Sequence, residues 1–286
     1  MAPRTAPPAL PDGAVTLQDP GPGLVVLDPA RAALFQELDA LFTGLAEQLG
    51  APAVVGPPLL PAEGLARLDY FRNFPHLAVS AARFAEDAVE ELAAGRAPAE
   101  QPVRPTGYLL PSATCYGLLL ALAGQDVGAE LRLTAVGRCF RNEDHYDGLR
   151  RLWGFHMREV LHVGSADGVR EHLARSREFI EGLADRLGVA VSYQPANDPF
   201  YDKSGSRAKL MALDPVKYEF VAVDGTAIAS VNRHRNFFGE RLGIRTEGGT
   251  AHSGCTAFGV ERWVHATVLA HGTPELALRR VRDVRG

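Results

Sequence analysis

The sequence predicts an α+β domain, an antiparallel sheet flanked by helices, and three observations carry that expectation. Leu131, Leu133, Ala135 and Gly137 alternate with Arg132, Thr134, Val136 and Arg138, the period-2 pattern of a half-buried strand. Residues 217–223 and 226–231 are apolar runs joined by Asp224-Gly225, the strongest short-range hairpin signal in the chain. Residues 29–49 and 167–187 repeat their apolar positions at helical spacing and would flank such a sheet.

Taken in order, residues 1–23 are rich in Pro, Gly and Ala without periodicity and read as a flexible arm. Residues 24–286 then form the folded domain. Leu34, Phe35, Leu38, Leu41, Phe42, Leu45 and Leu49 make one helical stripe, opened by Asp28-Pro29 and closed by Gly50. Those are an N-cap, a proline at the first helical position and a terminal glycine. Residues 53–55 suit a short strand broken by Pro57 and Pro58. Residues 81–94 read as a helix, 95–105 as a loop, 108–110 as a strand and 116–123 as a short apolar helix. The hairpin begins at Leu131, turns polar after Phe140, and returns apolar from Leu152 to Val163. Gly188 ends the helix over 167–187, a strand follows at 189–193, and 257–270 is expected as the last helix.

A hydrophobic fraction of 46% with 22% charged residues is ordinary for a globular chain, and 286 residues could hold one large domain or two small ones. A formal charge of −4 gives no electrostatic footprint for nucleic acid. Three widely separated cysteines do not make a disulfide framework and suggest a reducing compartment. With no signal peptide and no apolar run able to span a bilayer, cytoplasm is the default and no membrane partner is expected.

The chemistry concentrates between Gly137 and Val160. Arg141 offers a planar fork for phosphate oxygens, and Glu143, two residues on, projects from the same strand face. Arg-x-Glu is equally the pattern of a solvated surface ion pair. Cys115, Glu159 and Cys255 are too far apart to form a local metal motif, and by spacing alone each cysteine reads as a small buried hydrophobe.

The hairpin Phe140-Arg141-Asn142-Glu143 resembles motif 2 of the class II aminoacyl-tRNA synthetases, and Ala257-Phe258-Gly259-Val260-Glu261-Arg262-Trp263 resembles their motif 3, a strand running into a helix. The closer resemblance is to the amino acid:[carrier protein] ligases, seryl-tRNA-synthetase-like enzymes that lack a tRNA-binding domain. It is carried by Asn73-Phe74-Pro75-His76-Leu77, Ser112-Ala113-Thr114-Cys115-Tyr116 and Met157-Arg158-Glu159. It continues through Asp198-Pro199-Phe200, Val216-Lys217-Tyr218-Glu219, Asn232-Arg233-His234-Arg235-Asn236-Phe237-Phe238-Gly239 and Ser253-Gly254-Cys255-Thr256-Ala257-Phe258-Gly259. Most of the chain from about Leu24 onward is covered.

The resemblance implies a class II synthetase-like catalytic domain using ATP, Mg²⁺ and zinc. Cys115, Glu159 and Cys255 match the family's zinc ligands, and the open coordination position would take the α-amino group of a small amino acid. Cys139 reads as core packing. Arg141 would contact the α-phosphate, Glu143 the adenine end and Arg262 the γ-phosphate. Arg151 and Leu152 would lie along the nucleotide, Lys217 would add a contact, and Thr226, Ala227, Ile228 and Ala229 would line the site. The aminoacyl group would pass to the phosphopantetheine thiol of a carrier protein. No seryl-type tRNA-gripping arm precedes the first helix, so nucleic acid is not an expected partner. A homodimer is implied, with residues 29–49 as the interface helix and residues 71–75 as a strand ending at a proline.

The chain departs from the family pattern at Asp144-His145-Tyr146-Asp147-Gly148-Leu149, at His156 and at Trp153, which leaves the amino acid open. Two alternatives stand beside this reading: a synthetase paralogue that has lost catalysis and serves as a regulatory subunit, against which the intact Cys115, Glu159, Cys255, Arg141 and Arg262 argue, or a truncated synthetase acting on tRNA or another small nucleophile.

Overall fold

The apolar stripe over residues 29–49 becomes helix α1 (Pro29–Gln48), with the Asp28 side chain accepting from the Arg31 amide at its start. Leu34, Leu38, Phe42 and Leu45 are fully buried. Phe42 stacks on Phe258 at 4.4 Å between ring centroids and lies 5.4 Å from Trp263. The computed structural model describes residues 17–95, 103–202 and 215–286. Most of the expected arm over 1–23, and residues 96–102 of the expected loop, lie outside these.

Helix α2 (Thr114–Ala121) is followed by the hairpin strands β1 (Leu131–Phe140) and β2 (Gly154–Gly164), then α3 (Ala166–Leu187). Next come β3 (Val191–Pro195), β4 (Lys217–Ala222), β5 (Ala227–Arg235) and the short helix α4 (Phe237–Leu242). Strand β6 (His252–Gly259), α5 (Val260–His271) and α6 (Pro274–Arg285) complete the chain. The six strands form one sheet in the order β1-β2-β6-β5-β4-β3 with every pair antiparallel. The fold class is the one expected, and the Asp224-Gly225 turn joins β4 to β5.

One face of the sheet carries the main core: Val160, Phe220, Val231 and Phe258 pack with α1, α3, α5 and α6. The other face takes Leu161, Val163 and Cys255 against α2 and α4. Because side chains alternate along a strand, each strand serves both faces. Gly188 ends α3 with φ 70°, a conformation glycine adopts without cost. A buried pair ties α1 to the sheet: Arg158 on β2 donates to Asp39 and, at 3.2 Å, to Thr134.

Several expected elements differ. Residues 81–94 are not one helix: Ser80–Phe84 is a strand paired antiparallel with Val103–Leu109, followed by a 3₁₀ turn and the short helix Val89–Ala93. Alanine-rich helix propensity is weak and yields to strand pairing there. The strand expected at 108–110 therefore begins earlier, at Val103. Residues 53–55 contribute only an isolated bridge, Ala53 to Thr134. Residues 71–75 are helical (Tyr70–Asn73, then a 3₁₀ turn from Pro75), not a strand. Ala257, Phe258 and Gly259 end β6 rather than begin a helix, and α6 follows with Thr273 as N-cap and Pro274 next.

His162 and His172 meet edge to face at 5.5 Å between β2 and α3, both fully buried. Burial, then the nearby His162, holds His172 down to about 3, while burial, then the Arg132 charge, pulls His162 below its ordinary value. His172 is thus neutral in the fold well below the value near 6.5 at which it takes up a proton in the unfolded chain. Stability is thus full above that value and falls as the pH drops toward 3. A urea midpoint lower at about pH 4.5 than at about pH 7, with the gap reduced in His172→Gln, is expected. An undiminished gap in that variant would remove His172 as the cause.

Candidate active site

Strand alternation places a row of polar side chains on the sheet face opposite the main core. Met157 and Glu159 of β2, Cys255 and Ala257 of β6, Ser230 and Asn232 of β5 and Lys217 of β4 line one cavity of about 430 Å³. Helix α2 contributes Cys115 and Tyr116, the loop before α2 Ala113, and the loop after β1 Arg141, so that Arg141 and Glu143 follow the strand rather than project from it. Thr114 fixes α2 to the sheet. Its amide donates to Glu159 Oε1 at 2.9 Å and its hydroxyl to the Met157 carbonyl at 2.7 Å. Gly137 on β1 permits that approach, since a Cβ there would stand 2.9 Å from Thr114 Oγ1.

The donor atoms of Cys115, Glu159 and Cys255, distant in sequence, lie within 4.8 Å of one another, all buried. Glu159 Oε2 is buried with no hydrogen-bond partner, an arrangement that costs free energy unless a cation or donor meets it. The Cys115 thiol is pushed well up, first by its hydrogen bond with Cys255, then by burial and by Glu159. Cys255 gains from the hydrogen bond with Cys115, but burial and Glu159 outweigh it and the net direction is also up. These three residues could hold a metal ion. Cys139 lies on the same sheet face but outside the cluster, 3.6 Å from Thr114 Oγ1 and pushed by burial to about 12.

Arg141 is held in place before any ligand arrives. Its guanidinium donates to the Ser112 carbonyl at 3.2 and 3.1 Å and lies 5.1 Å from the centre of the Phe155 ring. Arg262 reaches the Arg150 carbonyl at 2.8 Å and the Ala227 carbonyl at 3.0 Å. Burial, and then the nearby Arg141 charge, lower it to about 10, so it stays cationic at neutral pH. The two guanidinium charges are near enough to repel one another, an arrangement that could take an anion. Glu143 pairs with Arg151 at 2.7 Å, and both line a small cleft with Leu152 and Arg262. Lys217 is lowered by burial, yet Asp198 and Glu219 at 3.3 and 2.9 Å outweigh that and its net shift is upward.

Not every expected residue faces the cavity. Ile228 and Ala229 are buried in the main core, Thr226 caps the hairpin through Asp224, and Ala227 contributes its carbonyl to Arg262. The residues of β5 that do line the cavity are Ser230 and Asn232. Alternation counted from the Asp224-Gly225 turn misses them, because the ladder shifts register between Phe220 and Val221 and leaves Ile228 as an extra residue, so that Lys217 comes opposite Asn232. Asp198 and His234 also line it; the resemblance included them only within longer stretches, with no site role. His156, one of the departures, donates its amide to Glu261 at 2.8 Å and pairs its ring with the same carboxylate at 2.7 Å.

A six-stranded antiparallel sheet carrying an arginine hairpin on one side and a strand-to-helix arginine on the other defines a class II synthetase core. Residues 107–271 match the tRNA synthetase class II core domain family (G, H, P, S and T). The chain is 31% identical over 279 residues to amino acid–[acyl-carrier-protein] ligase 1 of Bradyrhizobium diazoefficiens, covering 90% of this chain and 84% of that protein. It is 32% identical over 252 residues to ligase 2 of the same organism, covering 80% of this chain and 73% of that one. The M. kandleri SerRS, solved with A. aeolicus tRNASec, superposes with a TM-score of 0.78 at 23% identity over 93% of this chain and 58% of that chain. The chain belongs to the amino acid–[acyl-carrier-protein] ligase family, enzymes built on a class II synthetase core. That core implies ATP and Mg²⁺. Among the described residues no helix is long and apolar enough to cross a membrane.

Proposed function

We propose that this enzyme activates a small amino acid as its aminoacyl-adenylate and hands the aminoacyl group to the phosphopantetheine thiol of a carrier protein. The observation that carries the reading is the joining, in one cavity, of a buried Cys115–Glu159–Cys255 cluster with Arg141, whose guanidinium is already fixed. In the first step a carboxylate oxygen of the amino acid attacks the α-phosphorus of Mg²⁺-bound ATP, the bond to the β-phosphate oxygen breaks, and pyrophosphate leaves. Arg141 meets the α-phosphate and Arg262 the γ-phosphate, stabilising charge that grows in the transition state. Glu143, Arg151 and Leu152 hold the adenine end, and Lys217 adds positive charge at the far wall. In the second step the thiol loses its proton, its sulfur bonds the acyl carbon, and AMP leaves.

Two thiols, a carboxylate and an unpartnered buried carboxylate oxygen fit zinc. Bound there, zinc would offer an open position to the neutral α-amine of the substrate. Tyr116, Met157 and Phe238 in the same cavity support a small side chain. Unpaired thiols at all three cysteines support a reducing compartment such as the cytoplasm. The reading includes a homodimer, for which exposed Leu24, Val26 and Val136 provide apolar surface.

The experiment is exchange of pyrophosphate into ATP across the proteinogenic amino acids, then transfer to a phosphopantetheinylated carrier protein or to tRNA. Exchange with one or two small amino acids and labelling of the carrier alone are expected. Exchange followed by charging of tRNA would replace the carrier reading, and silence across the panel with zinc bound would sink adenylate formation.

A further inference from the structure

The pairing of β5 with β6 is interrupted next to the metal-binding cluster. Cys255 is opposite Asn232 and Gly254 opposite Arg233, but Ser253 is opposite Arg235, so His234 is an extra residue in the ladder. Arg235 takes φ 56°, one of two non-glycine residues with positive φ among those described. Such bulges bend a strand and re-aim a side chain, and they recur beside active sites. Here the bulge lays one imidazole across two same-face residues of the neighbouring strand. His234 Nδ1 is 3.0 Å from Ser253 Oγ, and Nε2 is 3.5 Å from Cys255 Sγ. The ring is steadied edge to face by Phe238 at 4.9 Å.

We propose that His234 and Ser253 are positioning residues for the metal-binding thiolate of Cys255; the inference rests on the metal reading above. A metal-bound thiolate only accepts hydrogen bonds, so Nε2 must carry the ring proton and Nδ1 must accept from the Ser253 hydroxyl. Ser253 thereby fixes the tautomer, and His234 fixes the direction of the sulfur. Asn232 Nδ2, at 3.6 Å, gives the sulfur a second donor. His234 is not itself a ligand. Donor atoms around one tetrahedral metal lie within roughly 4 Å of one another, and the mutually close group is confined to Cys115, Glu159 and Cys255.

The test is zinc affinity by chelator competition together with the cobalt(II) spectrum, in wild type, His234→Ala, His234→Gln and Ser253→Ala. The Gln side chain puts an N–H close to where Nε2–H stands. His234→Ala is expected to weaken zinc by about 10–100-fold, Ser253→Ala to weaken it less, and His234→Gln to restore most of the affinity. The sulfur-to-cobalt charge-transfer band should move in the Ala variant and return in the Gln variant. Should His234→Ala fail to fold, Ser253→Ala and His234→Gln carry the comparison. Unchanged affinity and spectrum in both Ala variants would overturn the assignment while leaving the metal site standing. A Gln variant as defective as His234→Ala, with a changed cobalt coordination spectrum, would make His234 a ligand instead. Wild type that binds neither metal would sink the metal reading and this one with it.

Discussion

Arg141→Ala is expected to lower amino-acid-dependent pyrophosphate exchange by about 10²–10³-fold, the scale set by losing one fixed donor to transition-state charge. Preorganisation is the cause. The Ser112 carbonyl takes two of the guanidinium N–H groups and Phe155 stands beside the group, so little reorganisation is needed when charge builds on the α-phosphate. Arg141→Lys should recover little, because an ammonium cannot keep the Ser112 contacts and present a fork at once. Zinc content should stay at the wild-type level, since the side chains proposed to bind metal come from α2, β2 and β6. Arg262→Ala should mainly raise the KM for ATP, as a γ-phosphate contact would. Removing that guanidinium relieves its repulsion with Arg141 and gives up its attraction to Glu219 and Glu143. Wild-type exchange by Arg141→Ala would remove the arginine from the phosphate and the proposed orientation of ATP with it.

The parts legible in the sequence were those with a short period or a local signature. The hairpin at 131–163, the Asp224-Gly225 turn and the helices at 29–49 and 167–187 all stand within a residue or a few of where alternation, caps and glycines placed them. Residues 81–94 failed for the opposite reason: their alanines favour helix weakly, and the partner strand Val103–Leu109 is remote enough that no local pattern announces it. Ala257 to Gly259 were drawn into the next helix because a fully buried central strand shows no alternation. The cluster was invisible to spacing for a topological reason. β6 sits between β2 and β5 in the sheet although it follows both in sequence, so Cys255 meets Glu159 only after the sheet closes. A resemblance could pick out those residues; periodicity could not. The bulge at His234 lay beyond both, since it depends on a register shift between strands.

Glu159→Gln is expected to separate metal binding from folding, with effects of opposite sign. In the fold, Glu159 Oε1 accepts from the Thr114 amide while Oε2 is buried without a partner. Glutamine keeps an oxygen for Thr114 and removes an acidic group from a buried place beside two thiols, so the metal-free variant should be no less stable than the metal-free wild type. Zinc affinity should fall by more than the roughly 10–100-fold that loss of a hydrogen-bond partner of a ligand already costs, because here a ligand itself is weakened. The rise in melting temperature expected of the wild type with zinc, which would follow from binding to the folded state alone, should largely vanish. Amino-acid-dependent exchange should be lost with it, while Mg²⁺-ATP binding through Arg141 and Arg262 persists. Cys115→Ala and Cys255→Ala should share the loss of zinc and exchange, but each leaves a cavity and lowers the metal-free melting temperature. A Glu159→Gln enzyme that still takes up zinc and exchanges at the wild-type rate would show that the carboxylate serves only to anchor α2, and that the substrate amine is held by another group.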